Sequence, residues 1–198
     1  MKKKILAVLG QTCSGKDTLI DRVCLTAPTG LVHRVQRVTT RKPRLEEQES
    51  ANYQFVSGAA FDSMVRSGQI VESSSYRGWK YGTMESSLYS SAVNIMSLDL
   101  KSFKKLVRER SYEYDIRCIL LDASFKQRLK RYRDREHGTP GLEMYRRLVS
   151  DSIMYRHPIN DLLKLEVAYA YMPDEYGLYR KTTSVINFCH DWFRGQKF

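Results

Sequence analysis

Residues 5–18 read ILAVLGQTCSGKDT: five apolar residues, a glycine, a polar loop with a second glycine, then a lysine. Ile5–Leu9 has the composition of a buried strand, and Gly15–Cys24 follows it as a helix. A strand that runs through a glycine-punctuated loop into a helix turns backbone N–H groups inward. It also aims a helix N-terminus at whatever the loop holds. Gly10 and Gly15 fall where such a loop needs positive φ or close approach of backbone to ligand. Gly10, Cys13, Ser14, Gly15, Lys16, Asp17 and Thr18 thus read as a cradle for a polyphosphate, with the Lys16 ammonium on its β- and γ-phosphates. Asp17 stands where the usual pattern has a Ser or Thr to meet Mg²⁺. Asp17 and Thr18 are therefore the candidate metal residues, with the ion held largely through water, as Mg²⁺ tolerates.

Outward from the cradle, Leu31–Thr40 begins apolar and then alternates through Val35 and Val38, as a half-exposed strand does. Arg41–Ser50 is charged and contains Pro43, so it reads as a loop. Short strands are expected at Tyr53–Val56 and Ile70–Glu72. A helix at Gly58–Ser67 carries Phe61, Met64 and Val65 and stops at Gly68, and a further helix is expected at Met84–Ser91. Val93–Leu98 and Ile116–Leu121 are buried strands with the helix Asp99–Arg108 between them. Helices follow at Phe125–Glu136 and Leu142–Tyr155, then a strand at Glu166–Tyr171 and a closing helix at Thr183–Phe193. Apolar strands alternating with helices predict an α/β fold: a three-layer core with a parallel sheet covered on both faces. Residues 1–30 and 93–198 form that core, with a helical lid at about 124–141, and 31–92 is an inserted subdomain.

A length of 198 residues with 42% apolar and 28% charged side chains describes one ordinary globular domain. The longest apolar runs are five or six residues, which excludes a helical membrane span. Met1–Lys4 before ILAVL imitates the start of a signal peptide, but the apolar part is too short and leads into the cradle. Cys13, Cys24, Cys118 and Cys189 are scattered without metal-ligand spacing, which suggests reduced thiols in a cytoplasmic protein. The net charge of +11 calls for an anionic partner. Arginines gather at 34–44, 128–135 and 146–147, which suits several phosphates converging in one cleft better than a nucleic-acid stripe.

Three further pieces, in correct order and spacing after the cradle, resemble the nucleotide-binding part of guanylate kinases. They are Val38-Thr39-Thr40-Arg41-Lys42-Pro43-Arg44, Asn52-Tyr53-Gln54-Phe55-Val56 and Tyr81-Gly82-Thr83. The resemblance implies that Arg41 and Arg44 grip the phosphate of an acceptor nucleotide, with Tyr53 and Tyr81 donating hydroxyls to it. It implies that Glu72 accepts from guanine N1–H and the exocyclic amine, that Thr83 donates to O6, and that Asp99 lies near guanine and metal. Asp99 also reads as a helix N-cap, and both roles can hold. Two positions depart from the family. Arg37 replaces a serine close to the base, where an arginine either reaches O6 or points away and alters selectivity. Ser97 replaces a first aspartate, which reduces metal or base contacts.

Arg128, Arg131 and Arg135 fall at i, i+3 and i+7 on one helix face, where the family places a hinged lid. The resemblance makes Arg131, Arg135 and, on the next helix, Arg147 (with Arg146 as its rival) the catalytic arginines beside Lys16. It implies a nucleoside monophosphate kinase that uses ATP and Mg²⁺ to convert GMP or dGMP to the diphosphate, with small-molecule nucleotides as its partners. Alternatives are a phosphokinase acting on a phosphorylated ribose, another kinase of the same superfamily, and a non-catalytic interaction module.

Overall fold

The computed structural model describes residues 2–43, 52–76, 78–136 and 141–195. Two sheets organise it. The larger is built from β1 (Lys3–Gly10), β2 (Val32–Arg34), β7 (Val93–Ser97), β8 (Tyr114–Leu121) and β9 (Tyr169–Met172), in the order β2-β7-β1-β8-β9. Every pairing in it is parallel. Parallel sheets need cover on both faces, and alternation along β1 supplies an apolar residue to each. Ile5, Ala7 and Leu9 join a cluster with Phe103 and Leu106 of α3 (Leu100–Arg110). Leu6 and Val8 join a second cluster with Leu19 and Val23 of α1 (Lys16–Thr26) and Val185 and Trp192 of α7 (Leu178–Phe193). The expected three-layer α/β core is therefore present.

The smaller sheet holds β3 (Arg37–Thr39), β4 (Tyr53–Phe55), β5 (Ile70–Tyr76) and β6 (Trp79–Met84), in the order β4-β3-β6-β5. The helix α2 (Gly58–Arg66) packs on it through Phe61, against Val38 and Ile70. Ser57 caps this helix by accepting from Ala60 N–H at 3.2 Å. Val32–Arg34, expected within the insert, instead adds an edge strand to the large sheet beside β7. The remaining helices are α4 (Phe125–Glu136), α5 (Leu142–Met154) and α6 (Pro158–Leu163).

The expected helix over 84–91 shrinks to one 3-10 turn at Glu85–Ser87. Asn94, fully buried in β7, accepts from Tyr89 N–H at 2.7 Å and donates to Tyr89 O at 2.8 Å. Those bonds claim the backbone groups that a helix would use. The final strand begins three residues later than expected, and α7 begins five earlier, at Leu178. No described helix is long and apolar enough to cross a membrane.

Candidate active site

Gly10–Lys16 leaves the C-terminal edge of β1 and closes into α1. At Gly10, with φ of 152°, a Cβ would stand 2.6 Å from Ser14 Oγ and 2.9 Å from the Leu121 carbonyl oxygen, so only glycine fits. Gly15, at φ of 94°, is the left-handed N-cap of α1, and Cys13 also takes a positive φ, of 61°. The result is a tight concave loop at a helix N-terminus. Lys16 Nζ folds over it and donates to Gly10 O at 2.8 Å and Gln11 O at 3.0 Å. Burial lowers the Lys16 pKa from the ordinary lysine value, and Asp17 and Asp151 pull the other way. Ser14 Oγ is buried with no hydrogen-bond partner among the described residues, which leaves one loop donor for a ligand.

Two groups on the cradle were not anticipated. Asp151 Oδ2 accepts from Thr12 N–H at 2.5 Å, and the Tyr155 hydroxyl oxygen accepts from Gly10 N–H at 3.2 Å. Burial pushes the Tyr155 phenol up. Asp151 and Tyr155 lie four residues apart at the end of α5, so one helix face carries both. Their spacing from Arg147 (147, 151, 155) is the signal that would have found them.

Arg131 on α4 reaches across the loop and donates to Ser14 O at 3.0 Å and Cys13 O at 3.4 Å. Its other nitrogen donates to Gln127 Oε1 at 3.0 Å and to Asp174 Oδ1 at 3.3 Å. Arg128, on the same helix, is instead sunk to 1% exposure and donates to Ser152 Oγ of α5 at 2.9 Å. It ties α4 to α5. The backbones of Arg135 and Arg147 lie on α4 and α5, but their side chains, like the whole of Arg44, lie outside the described residues.

Facing the cradle, the small sheet presents Arg37, Tyr53 and Tyr81. A cavity of about 140 Å³ is lined by Gly10, Thr12 and Lys16 of the cradle, by Ser97 and Asp99 at the end of β7, and by Arg37, Tyr53 and Tyr81 of the small sheet. Arg41 sits over the Tyr53 and Phe55 rings, 5.7 Å from each centroid, and its amide donates to Thr39 Oγ1 at 3.1 Å. Asp99 caps α3, accepting from Ser102 N–H at 2.9 Å and Ser102 Oγ at 2.6 Å. It lines the cavity as well.

Arg37, Thr83 and Glu72 are buried at 7%, 0% and 4% exposure. Arg37 Nη2 donates to Glu72 Oε2 at 3.0 Å, and Thr83 Oγ1 donates to the same oxygen at 3.3 Å. Burial works against the Arg37 charge, but Glu72, Tyr53 and Asp99 hold its pKa above the ordinary arginine value. Burial also raises the Glu72 pKa, against the pull of Arg37.

Asp17 and Thr18 are exposed on the first turn of α1, and Asp17 Oδ1 stands 3.9 Å from Arg34 Nη2. Among the described residues no group of three or more His, Cys, Asp or Glu could hold a metal. So sparse a donor set fits an ion that keeps its waters and takes its remaining oxygens from a bound nucleotide.

A glycine-bounded loop at the C-terminal edge of a parallel sheet, with a lysine inside and an arginine across it, defines a P-loop phosphate-binding protein. Residues 2–147 match the family model described as guanylate kinase. The chain belongs to the guanylate kinase family. It is 28% identical over 142 residues to the guanylate kinase of Malacoplasma penetrans, covering 70% of this chain and 72% of that one. It is 34% identical over 111 residues to that of Rubrobacter xylanophilus, covering 54% and 57%. Over 104 residues it is 36% identical to that of Tropheryma whipplei, covering 50% and 53%. The matched segments thus span from about half to three quarters of these relatives. The crystal structure of guanylate kinase from Anaplasma phagocytophilum shares the fold, with a TM-score of 0.69 at 17% identity, covering 96% of this chain and 87% of that one.

Proposed function

We propose that this protein transfers the γ-phosphoryl group of ATP to GMP or dGMP, giving ADP and the nucleoside diphosphate. The observation that carries the reading is the shared cavity: the cradle residues Gly10, Thr12 and Lys16 face Arg37, Tyr53 and Tyr81 across one space. Phosphoryl transfer needs positioning and positive charge more than covalent chemistry. The cradle would take the donor's β- and γ-phosphates, with Lys16 exchanging its Gly10 and Gln11 carbonyls for phosphate oxygens. Arg131, already over the loop, is the lid residue placed to follow charge onto the moving group. Arg135 and Arg147 are assigned beside it on α4 and α5.

On the acceptor side Arg41, Arg44, Tyr53 and Tyr81 would grip the monophosphate, Arg37 and Asp99 would meet the base, and Glu72 and Thr83 would support that side of the site from their buried places beside Arg37. An acceptor phosphate oxygen attacks the γ-phosphorus, and the bond to the bridging oxygen breaks, leaving ADP. The monophosphate is already ionised near neutral pH, so no protein base has to remove a proton. Mg²⁺ bound near Asp17 and Thr18 would neutralise charge on the donor's phosphates. Residues 37–84 act as the acceptor-binding unit in this reading, and α4 acts as the lid that excludes water.

A coupled ADP-release assay with GMP, dGMP, AMP, UMP and ribose bisphosphate tests it. Turnover with the guanine nucleotides supports the reading, preferred turnover of the sugar phosphate replaces it, and no turnover with any acceptor rejects it.

A further inference from the structure

Strand register sets Arg37 of β3 opposite Thr83 of β6, and Thr83 opposite Glu72 of β5. Residues paired across neighbouring strands share a face, so the three side chains form one row across the small sheet. That face looks toward β7: Arg37 Nη1 donates to Ser97 O at 3.2 Å, and Thr83 Oγ1 lies 3.5 Å from Met96 Sδ. Within the row, Glu72 spends one oxygen on both Arg37 and Thr83. Glu72 Oε1 and Arg37 Nε are buried with no hydrogen-bond partner among the described residues. The cavity against the cradle is bordered by Arg37 and, among the described residues, not by Glu72. Arg37, not Glu72, is thus the member of the row that borders the cavity.

This exchange alters the edge that can be read. A carboxylate accepts, and so selects N1–H and an exocyclic amine. A guanidinium only donates, and selects carbonyl and ring-nitrogen acceptors such as O6 and N7 of guanine. Drawing Glu72 away from Arg37 to meet an amine would leave an uncompensated buried charge. Adenine keeps the N7 acceptor but turns an amine toward the donor that would meet O6, so a donating site loses that contact and leaves two donors facing each other.

We propose that Arg37 is the specificity-determining residue of the acceptor site: it reads the 6-carbonyl of a purine monophosphate and leaves the 2-amino group unread, so GMP and IMP are taken alike. Glu72 is a positioning residue that holds the guanidinium. The inference rests on the acceptor site assigned above and deepens it.

Calorimetric binding of GMP, IMP and AMP to the wild type, Arg37→Ser and Glu72→Gln tests the inference, with turnover measured alongside. For the wild type, GMP and IMP should differ by no more than about threefold, with AMP weaker by roughly tenfold or more. Arg37→Ser frees Glu72 to accept from the amine, and the preference for GMP over IMP should widen to about tenfold. Glu72→Gln should weaken both 6-oxopurines together and leave their ratio unchanged. A wild type that binds GMP roughly tenfold tighter than IMP overturns the inference, and needs no variant to fold. A selective loss of GMP in Glu72→Gln, or failure to bind any of the three, also overturns it. Binding in the expected order without turnover would remove the kinase reading while supporting this one. A strong GMP preference with normal turnover would do the reverse.

Discussion

Lys16 carries a charge in surroundings that disfavour it. Burial depresses its pKa, and the carboxylates of Asp17 and Asp151 recover only part of that shift. Triphosphate oxygens in the cradle would favour the ammonium, so the nucleotide complex holds its proton to higher pH than the free protein does. Between the two values the complex binds more protons, so ATP binding should take up protons there, and affinity should fall as pH rises through the depressed value. Calorimetry in two buffers of different ionisation heat, repeated over a series of pH values below the ordinary lysine pKa of about 10.4, reads this directly. Equal heats in both buffers would mean that Lys16 does not meet the phosphates. Lys16→Ala should lower kcat by roughly 10²–10³ with an unchanged circular dichroism spectrum, the scale expected when one transition-state charge partner is lost. Retained activity would leave the loop without a role.

At the scale of elements, α5 is docked on the cradle through Asp151 and Tyr155. Tyr155→Phe strips the acceptor from Gly10 N–H and should destabilise the fold by about 1–3 kcal/mol in urea denaturation. No change would mean that Gly10 N–H finds another partner. The cradle itself was legible because its information is local: strand, glycines and lysine lie within residues 5–18. The buried strands were legible for the same reason, since near-continuous apolar runs mark strands covered on both faces. Helix α6 was not, because six residues with one buried apolar side chain, Leu162, make no period. The contacts of Asp151 and Tyr155 span 139 and 145 residues, so their spacing from Arg147 shows in the sequence but the backbone groups they meet do not. The Arg37–Glu72 pair is intermediate. Both residues were named from the resemblance, but their mutual engagement depends on the register of β3, β6 and β5.

For the molecule as a whole, the two sheets set the Gly10–Lys16 loop opposite a basic, tyrosine-bearing face, and the loop springs from the large core. Phe103, fully buried among Ile5, Leu9 and Leu106, belongs to that core. Phe103→Ala should cost roughly 3–5 kcal/mol of unfolding free energy by urea titration. A smaller loss would show that the cluster collapses around the gap. The charge of +11 gives the cleft its attraction for phosphates at a distance, so the KM values for both nucleotides should rise with ionic strength. Salt-independent KM values would assign that charge elsewhere. The proposed reaction requires two nucleotides to meet end to end between Lys16 and Arg41. A crystal structure with GMP and a non-hydrolysable ATP analogue measures this most directly. The analogue's terminal phosphate should lie in the Gly10–Thr18 loop and the GMP phosphate against Arg41, Tyr53 and Tyr81, whereas nucleotide density anywhere else would contradict the proposed reaction.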